Sequence, residues 1–274
     1  MIAALVVLGS WHVLPPQILE VPAQHTRHAE LFSRGAPEFN KLVLMGVDKA
    51  QSNAMLGGGY FIGIKAVPTE SPIGYPLRLL GKPLMNPPRP TSFCTGASYA
   101  AFIEALNLWL PRGRSHTDDV NRLPTTVPME LSKDRIEALR MQEPDGGRRE
   151  DGVKFWGHWN ADGFGNHFAL VQYSRMGERV KPIDALPGDF LNISWKTGLG
   201  HSTVFLGWCR DRSGNKAVRF WSSQQGTNGM GDQVSALNLI RSVCVVRVSR
   251  PIRIYTFNLD RPVDLKVGGD PIDW

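Results

Sequence analysis

The sequence is poor in cysteine, and it contains no long hydrophobic run and no block of basic residues. Its 274 residues include three cysteines, Cys94, Cys209 and Cys244, and no CxxC pair. This count excludes a disulfide framework and offers no zinc motif, so we expect no metal. The apolar run Ile2–Leu8 is too short to cross a membrane, so no membrane span is expected. No basic residue precedes this run; a trimmed signal peptide and a first strand both fit it.

The positive charge of the chain is scattered along its length. The net charge is +6, which favours an anionic partner such as nucleic acid or a cell-wall polymer. No run of five or more lysine or arginine residues occurs, so we expect no nucleic-acid partner. With 42% hydrophobic and 20% charged residues, the composition is that of an ordinary globular protein.

Helices are expected in the first two thirds of the chain and strands in the last third. Apolar spacing predicts a helix from about Ser92 to Leu110, Ser132 caps a second helix, and Asn166 is a candidate N-cap for a third. The segment "KLVLMGVDKA" fits a strand or a helix, and "YFIGIKAV" reads as one strand. Five further strands are predicted after residue 188, namely "DFLNISW", "HSTVFLGWC", "AVRFWSS", "SVCVVRVS" and "IRIYTFNL". This order predicts an α+β fold with an antiparallel sheet.

The domain organisation follows from the same pattern. We assign residues 1–274 to a single domain, with 1–55 as an N-terminal extension and 111–165 as an insertion. A long insertion in a compact domain is usually functional or disordered, and here it could form a lid or a substrate-selecting wall.

Cys94 stands where a proline-rich loop meets an alanine-rich helix, in "RPTSFCTGASYAAF". A helix N-terminus carries unpaired N–H groups and a partial positive charge. Both favour a thiolate, so we expect Cys94 to be a nucleophile with a pKa below that of a free thiol. The same N–H groups can hold the oxyanion of an acyl intermediate. Cys209 and Cys244 lie in strand-like runs and are interpreted as small core residues.

His201 opens a predicted strand directly after the glycine-rich "GLG" turn. Alternation places His201, Thr203 and Phe205 on one face, and the imidazole is the right group to take a proton from a thiol. The next strand ends in "SSQQG". A neutral amide there could orient the imidazole as the third member of a triad, and Gln224 is the first choice. Ser222 and Gln225 are the alternatives.

These motifs together resemble the NlpC-type and CHAP cell-wall amidases and peptidases, which are compact papain-like enzymes. "FCTGASY", "LPGDFLNI" and "LGHSTVFLGW" follow the family order of nucleophile helix, strand entry and histidine strand, over about residues 56–110 and 166–250. The resemblance implies a papain-like fold in which the nucleophile helix packs on a half-open antiparallel barrel. It also implies that Tyr60, upstream of the nucleophile, and Ser92 line the site. The segment reads Cys-Thr-Gly where Cys-Ser-Gly is usual.

The resemblance implies a cysteine hydrolase that cleaves an amide or peptide bond, most naturally in peptidoglycan, through a thioester. No cofactor is expected, and the partner is peptidoglycan or a peptide substrate. An extracytoplasmic or secreted location is favoured on the same ground. Two alternatives stand beside this hypothesis: acyl or amide transfer on the same fold, and a non-catalytic module that binds cell wall or protein.

Two further groups of polar residues receive structural interpretations. Asp189 in "PGD" is expected to serve its turn through an Asx-type hydrogen bond and not to act in catalysis. His158, Asp162 and His167 match no metal-binding spacing, and a turn followed by a helix cap accounts for them.

Overall fold

The computed structural model describes residues 21–56, 58–112, 130–141, 155–157, 165–263 and 267–272. Its helices are α1 (His28–Phe32), α2 (Glu38–Asn53), α3 (Cys94–Arg112), α4 (Lys133–Ala138) and α5 (Gly165–His167), which continues as a π-helix over Phe168–Tyr173. Two short strands, β1 (Leu77–Leu79) and β2 (Lys82–Met85), form a hairpin of their own. The other strands form the main sheet: β3 (Gly177–Val180), β4 (Phe190–Trp195), β5 (Gly200–Arg210), β6 (Lys216–Gln224), β7 (Gly229–Ala236) and β8 (Ile240–Val248).

The main sheet has the order β3-β8-β4-β5-β6-β7, and each neighbouring pair is antiparallel. The predicted α+β class with an antiparallel sheet is therefore confirmed. Helix α3 packs on β5 and β6, and α2 lies along α3. Helix α2 belongs to the segment 1–55, which the sequence assigns to an N-terminal extension, and it is a central helix of the core.

Alternation divides the sheet residues between two hydrophobic clusters, one on each face. The face toward α3 carries Phe190, Val204, Trp221 and Val246 and joins the helices in the larger cluster. The opposite face carries a smaller cluster formed by Leu191, Ile193, Phe205, Val218, Phe220, Val243 and Val245. The site described below lies at the end of the sheet where β5 begins and β6 ends.

Several sequence expectations hold. The helix predicted from about Ser92 begins at Cys94, and Ser132 caps α4 by accepting a hydrogen bond from the Arg135 N–H. The four strands predicted between 189 and 249 match β4, β5, β6 and β8. The ambiguous segment "KLVLMGVDKA" is helical, as part of α2.

Other expectations are wrong. The "YFIGIKAV" segment contains the single 3₁₀ turn Gly63–Lys65, and "IRIYTFNL" begins in the 3₁₀ helix Pro251–Tyr255. Both runs are apolar enough for a strand, but neither joins a sheet ladder. Asn166 lies within α5 and its side chain bonds to Asn192, so it is not an N-cap. Strand β7 was missed, because "GMGDQVSA" has two glycines and little apolar alternation.

Candidate active site

Helix α3 presents Cys94 at its first position because the preceding loop is held against it. The Phe93 N–H donates to the carbonyl of Pro72 over 3.1 Å. A Cβ at Gly96 would come within 1.9 Å of that same Pro72 oxygen. Glycine two residues after the cysteine therefore lets the Pro72 loop close on the first turn of α3.

The thiol of Cys94 is almost fully enclosed, with 1% of the residue exposed. Burial raises its pKa to about 12, and hydrogen bonds from the backbone N–H groups of Ser202, Thr95 and Cys94 itself lower it by less than burial raises it. The expectation of a thiol pKa below the free value is therefore wrong for the resting protein. The helix N-terminus does supply donors, but desolvation of the charged form outweighs them.

His201 lies beside Gln224, as predicted for the first choice of third residue. The two side chains are joined by a long hydrogen bond of 3.4 Å between His201 Nε2 and Gln224 Oε1. The imidazole also packs edge-on against Phe220, with 5.5 Å between ring centroids. Burial lowers the pKa of His201 to about 4, against the Gln224 hydrogen bond, which raises it. The imidazole is therefore neutral at pH 7.

The orientation of the Gln224 amide determines which nitrogen of His201 carries the proton. Gln224 Nε2 donates to the backbone carbonyl of Gly231 over 3.0 Å. Because a carbonyl only accepts hydrogen bonds, the amide NH₂ must face Gly231 and the amide oxygen must face His201. The proton consequently sits on His201 Nε2, and Nδ1 keeps a lone pair that can act as a base.

The alternatives for the third residue are occupied elsewhere. Ser222 is buried and donates its hydroxyl to the backbone carbonyl of Ser202 over 2.7 Å. Gln225 begins the 3₁₀ turn Gln225–Thr227 and is exposed. Of the three candidates, only Gln224 is placed beside His201.

Tyr60 and Ser92 both flank the start of α3. The two residues form a parallel β-bridge, and the ring of Tyr60 lies 5.7 Å from that of Phe93. Burial raises the pKa of Tyr60 to about 12, and the neighbouring Cys94 raises it further. Ser92 donates to Ser223 Oγ over 2.8 Å, which ties the loop before Cys94 to the end of β6.

Cys94 and His201 approach the same peptide unit from different faces of the sheet. Ser202 lies on the α3 face, where its hydroxyl is 2.7 Å from that of Ser98. Its backbone N–H reaches the sulfur of Cys94. Alternation turns the neighbouring His201 to the other face, against Phe220. The Cys94 thiol and the His201 imidazole therefore lie on opposite faces of the sheet, on either side of the His201–Ser202 peptide.

Asp189 closes its own turn, but through an N–H that precedes it and not in the expected Asx pattern. Its carboxylate accepts the Leu186 N–H over 2.8 Å, closing the turn before β4. The same carboxylate receives two hydrogen bonds from Arg247, of 2.9 and 2.7 Å, and one of 2.7 Å from Asn40. These contacts tie the turn to β8 and α2. Of the faint metal-like cluster, His158 and Asp162 lie outside the described residues.

A different histidine cluster was not foreseen from the sequence. Ligand atoms of His25, His28 and Asp232 lie within 4.8 Å of one another. The Asp232 carboxylate, however, already accepts two hydrogen bonds from Arg219. Both ring nitrogens of His28 are also used, by Asp48 at 2.7 Å and Asp232 at 2.8 Å. We assign the cluster a structural role. The sequence does not predict the cluster, because Asp232 lies 207 and 204 positions from His25 and His28.

Comparison of the chain with protein-family models, with curated proteins and with solved structures gives no match. Within the described ranges, no helix combines the length and the apolar character needed to cross a bilayer.

Proposed function

We propose that this protein is a papain-like cysteine hydrolase in which Cys94 attacks an amide carbonyl and His201 is the general base. The observation that carries the proposal is the His201–Gln224 contact, because it leaves Nδ1 of a neutral imidazole as a base. A second observation supports the proposal: the sulfur of Cys94 accepts a hydrogen bond from the backbone N–H of Ser202, the residue that follows His201.

The resting state of this pair is neutral. The thiol keeps its proton because burial raises its pKa to about 12, and the imidazole is unprotonated because burial lowers its pKa to about 4. The proposal therefore has the proton pass from Cys94 to His201 during the attack on the carbonyl, and it requires the imidazole to turn toward the thiol from the sheet face on which it rests. His201 then donates the proton to the leaving amine, and water hydrolyses the thioester with His201 again as base.

Backbone N–H groups at the start of α3 are the candidate oxyanion donors. The N–H of Cys94 and that of Thr95 both point toward the sulfur region. Donors fixed in a site from which water is excluded are worth more than the same donors in water. The substrate class comes from the sequence resemblance, which names the amide bonds of peptidoglycan.

One observation favours a second candidate, a non-catalytic module of the same fold. Cys94 is 1% exposed and its thiol pKa is raised, while the His201 ring packs on the sheet face opposite to α3. A purely structural cysteine at a helix start would show the same burial. The two candidates differ in whether the thiol reacts.

Cys244 provides a matched control for the test. It is also fully buried, and burial likewise raises its thiol pKa to about 12. The native protein is treated with iodoacetamide at pH 7, and alkylation of each cysteine is followed by mass spectrometry. The hydrolase proposal expects Cys94 to react at least tenfold faster than Cys244, and His201→Gln to remove that difference. Equal alkylation rates at the two thiols would overturn the hydrolase proposal and favour the non-catalytic binding module.

A further inference from the structure

The turn between β6 and β7 holds the amide of Gln224 from the side opposite to His201. Gln224 Nε2 donates to the hydroxyl oxygen of Thr227 over 2.7 Å, in addition to its bond with Gly231. The Thr227 hydroxyl in turn donates to the carbonyl of Gly229. Because that carbonyl takes the hydroxyl proton, a lone pair of the Thr227 oxygen faces Gln224.

We propose that Thr227 is a positioning residue that holds the Gln224 amide and, through it, the tautomer of His201. With Thr227 Oγ1 and Gly231 O both acting as acceptors, each hydrogen of the Gln224 NH₂ group has a fixed partner. The amide oxygen then has one orientation, toward His201 Nε2. The lone pair on Nδ1 is the consequence, so Thr227 acts on the base without touching it.

The N-terminal segment before α1 holds this turn in place. Gln24 Nε2 donates to the carbonyl of Thr227 over 3.0 Å, and Ala23 O accepts the Asp232 N–H over 2.7 Å. Gly231 makes room for both contacts, since a Cβ there would lie 2.9 Å from Ala23 O and 3.0 Å from the Thr227 methyl. A larger residue would push the segment and the turn apart. Gln24 is therefore part of the same support.

The first test measures the tautomer directly and needs no substrate. The chain has seven histidines, so the ¹⁵N signals of His201 are assigned by their loss in His201→Gln. In the native protein we expect a pyrrole-like Nε2 and a pyridine-like Nδ1, well separated in shift. Thr227→Val keeps the shape and removes the hydroxyl, so the amide keeps Gly231 O and loses its second acceptor. The separation between the two shifts should therefore narrow, and Thr227→Ser should restore it.

Unchanged shifts in a folded Thr227→Val protein would overturn the inference. If Thr227→Val does not fold, Gln24→Met provides the second variant, because it removes only the donor to Thr227 O. The two His201 shifts should then converge in part. Shifts that do not move in Gln24→Met would count against the role of the N-terminal segment.

The second test concerns turnover, and here the inference rests on the proposed function. Thr227→Val should lower kcat about fivefold, the effect of losing one ordinary hydrogen bond, with KM unchanged. Combined with Gln224→Leu it should add nothing, because both changes act through one amide. Additive losses would show a general structural role instead. If Cys94 proves unreactive while the His201 shifts respond as expected, the proposed function fails and the positioning role of Thr227 stands.

Discussion

His28 and Asp232, 204 positions apart in the chain, are joined by a buried hydrogen bond of 2.8 Å between Nε2 and Oδ1. Asp48 holds the other ring nitrogen at 2.7 Å. Burial by itself lowers the pKa of His28, but the hydrogen bonds to Asp232 and Asp48 outweigh burial, and the net pKa is raised above 6.5. The His28 side chain ties the N-terminal segment to α2 and to β7.

The first prediction concerns stability and pH. The raised folded pKa means that the charged His28 stabilises the fold fully below pH 6.5, and that this contribution is lost as the pH rises through the folded pKa. His28→Gln should lower the free energy of unfolding by about 3 kcal/mol at pH 6, and by less at pH 10. Urea unfolding at the two pH values measures the difference.

A surface variant from the same segment is the control. Arg27 pairs with Glu30 in the open, with both side chains more than half exposed. Arg27→Gln should therefore leave the free energy of unfolding nearly unchanged at either pH. An equal loss for His28→Gln at pH 6 and pH 10 would show that its charge is not what stabilises the fold.

The second prediction concerns the pH dependence of turnover. The base must be unprotonated, and burial lowers the pKa of His201 to about 4. We expect kcat/KM to fall as the pH drops through about 4, well below the ordinary histidine range. Gln224→Leu should shift this fall in kcat/KM to a lower pH, because the Gln224 hydrogen bond raises the pKa of His201. Circular dichroism at each pH checks that the protein is folded, and a limb near 6.5 would contradict the assignment.

The third prediction compares two buried thiols. Cys94→Ser should leave the melting temperature nearly unchanged, because three backbone N–H groups can bond to the hydroxyl. Cys244→Ser places a hydroxyl in the larger hydrophobic cluster and should cost about 1–3 kcal/mol. Turnover should be lost in Cys94→Ser and largely kept in Cys244→Ser. A Cys94→Ser protein that unfolds more readily than Cys244→Ser would mark Cys94 as a core residue.

The fourth prediction concerns the first turn of α3. Gly96→Ala places a Cβ 1.9 Å from the Pro72 oxygen, so the loop or the helix must move. We expect a loss of about 1–3 kcal/mol in the free energy of unfolding and a loss of turnover, because Cys94 moves with the helix. Gly268→Ala is the control, since a Cβ at Gly268 meets nothing within 4 Å. Equal stability of the two variants would refute the close approach.

The elements with strong local patterns could be predicted from the sequence. The alanine-rich run after Cys94 has helical spacing, and α3 begins at that residue. The four predicted strands that hold are short runs rich in β-branched and aromatic residues, as expected of strands buried on both faces. His201 and Gln224 could be chosen because each stands at the end of such a strand, where the side chain is placed by the ladder.

The electrostatics of the site depend on long-range packing and could not be predicted from local patterns. The helix N-terminus argues for an acidic Cys94, but the depth of burial is a long-range property, and desolvation raises the thiol pKa to about 12. Gln224 is chosen over Ser222 because of two tertiary contacts. The Ser222 hydroxyl bonds to the carbonyl of Ser202, whereas the Gln224 NH₂ group bonds to the carbonyl of Gly231 and leaves the amide oxygen facing His201. Contacts such as His28–Asp232 and Gln24–Thr227 join residues 204 and 203 positions apart. No local pattern encodes them, because they exist only once α2 and the sheet have packed.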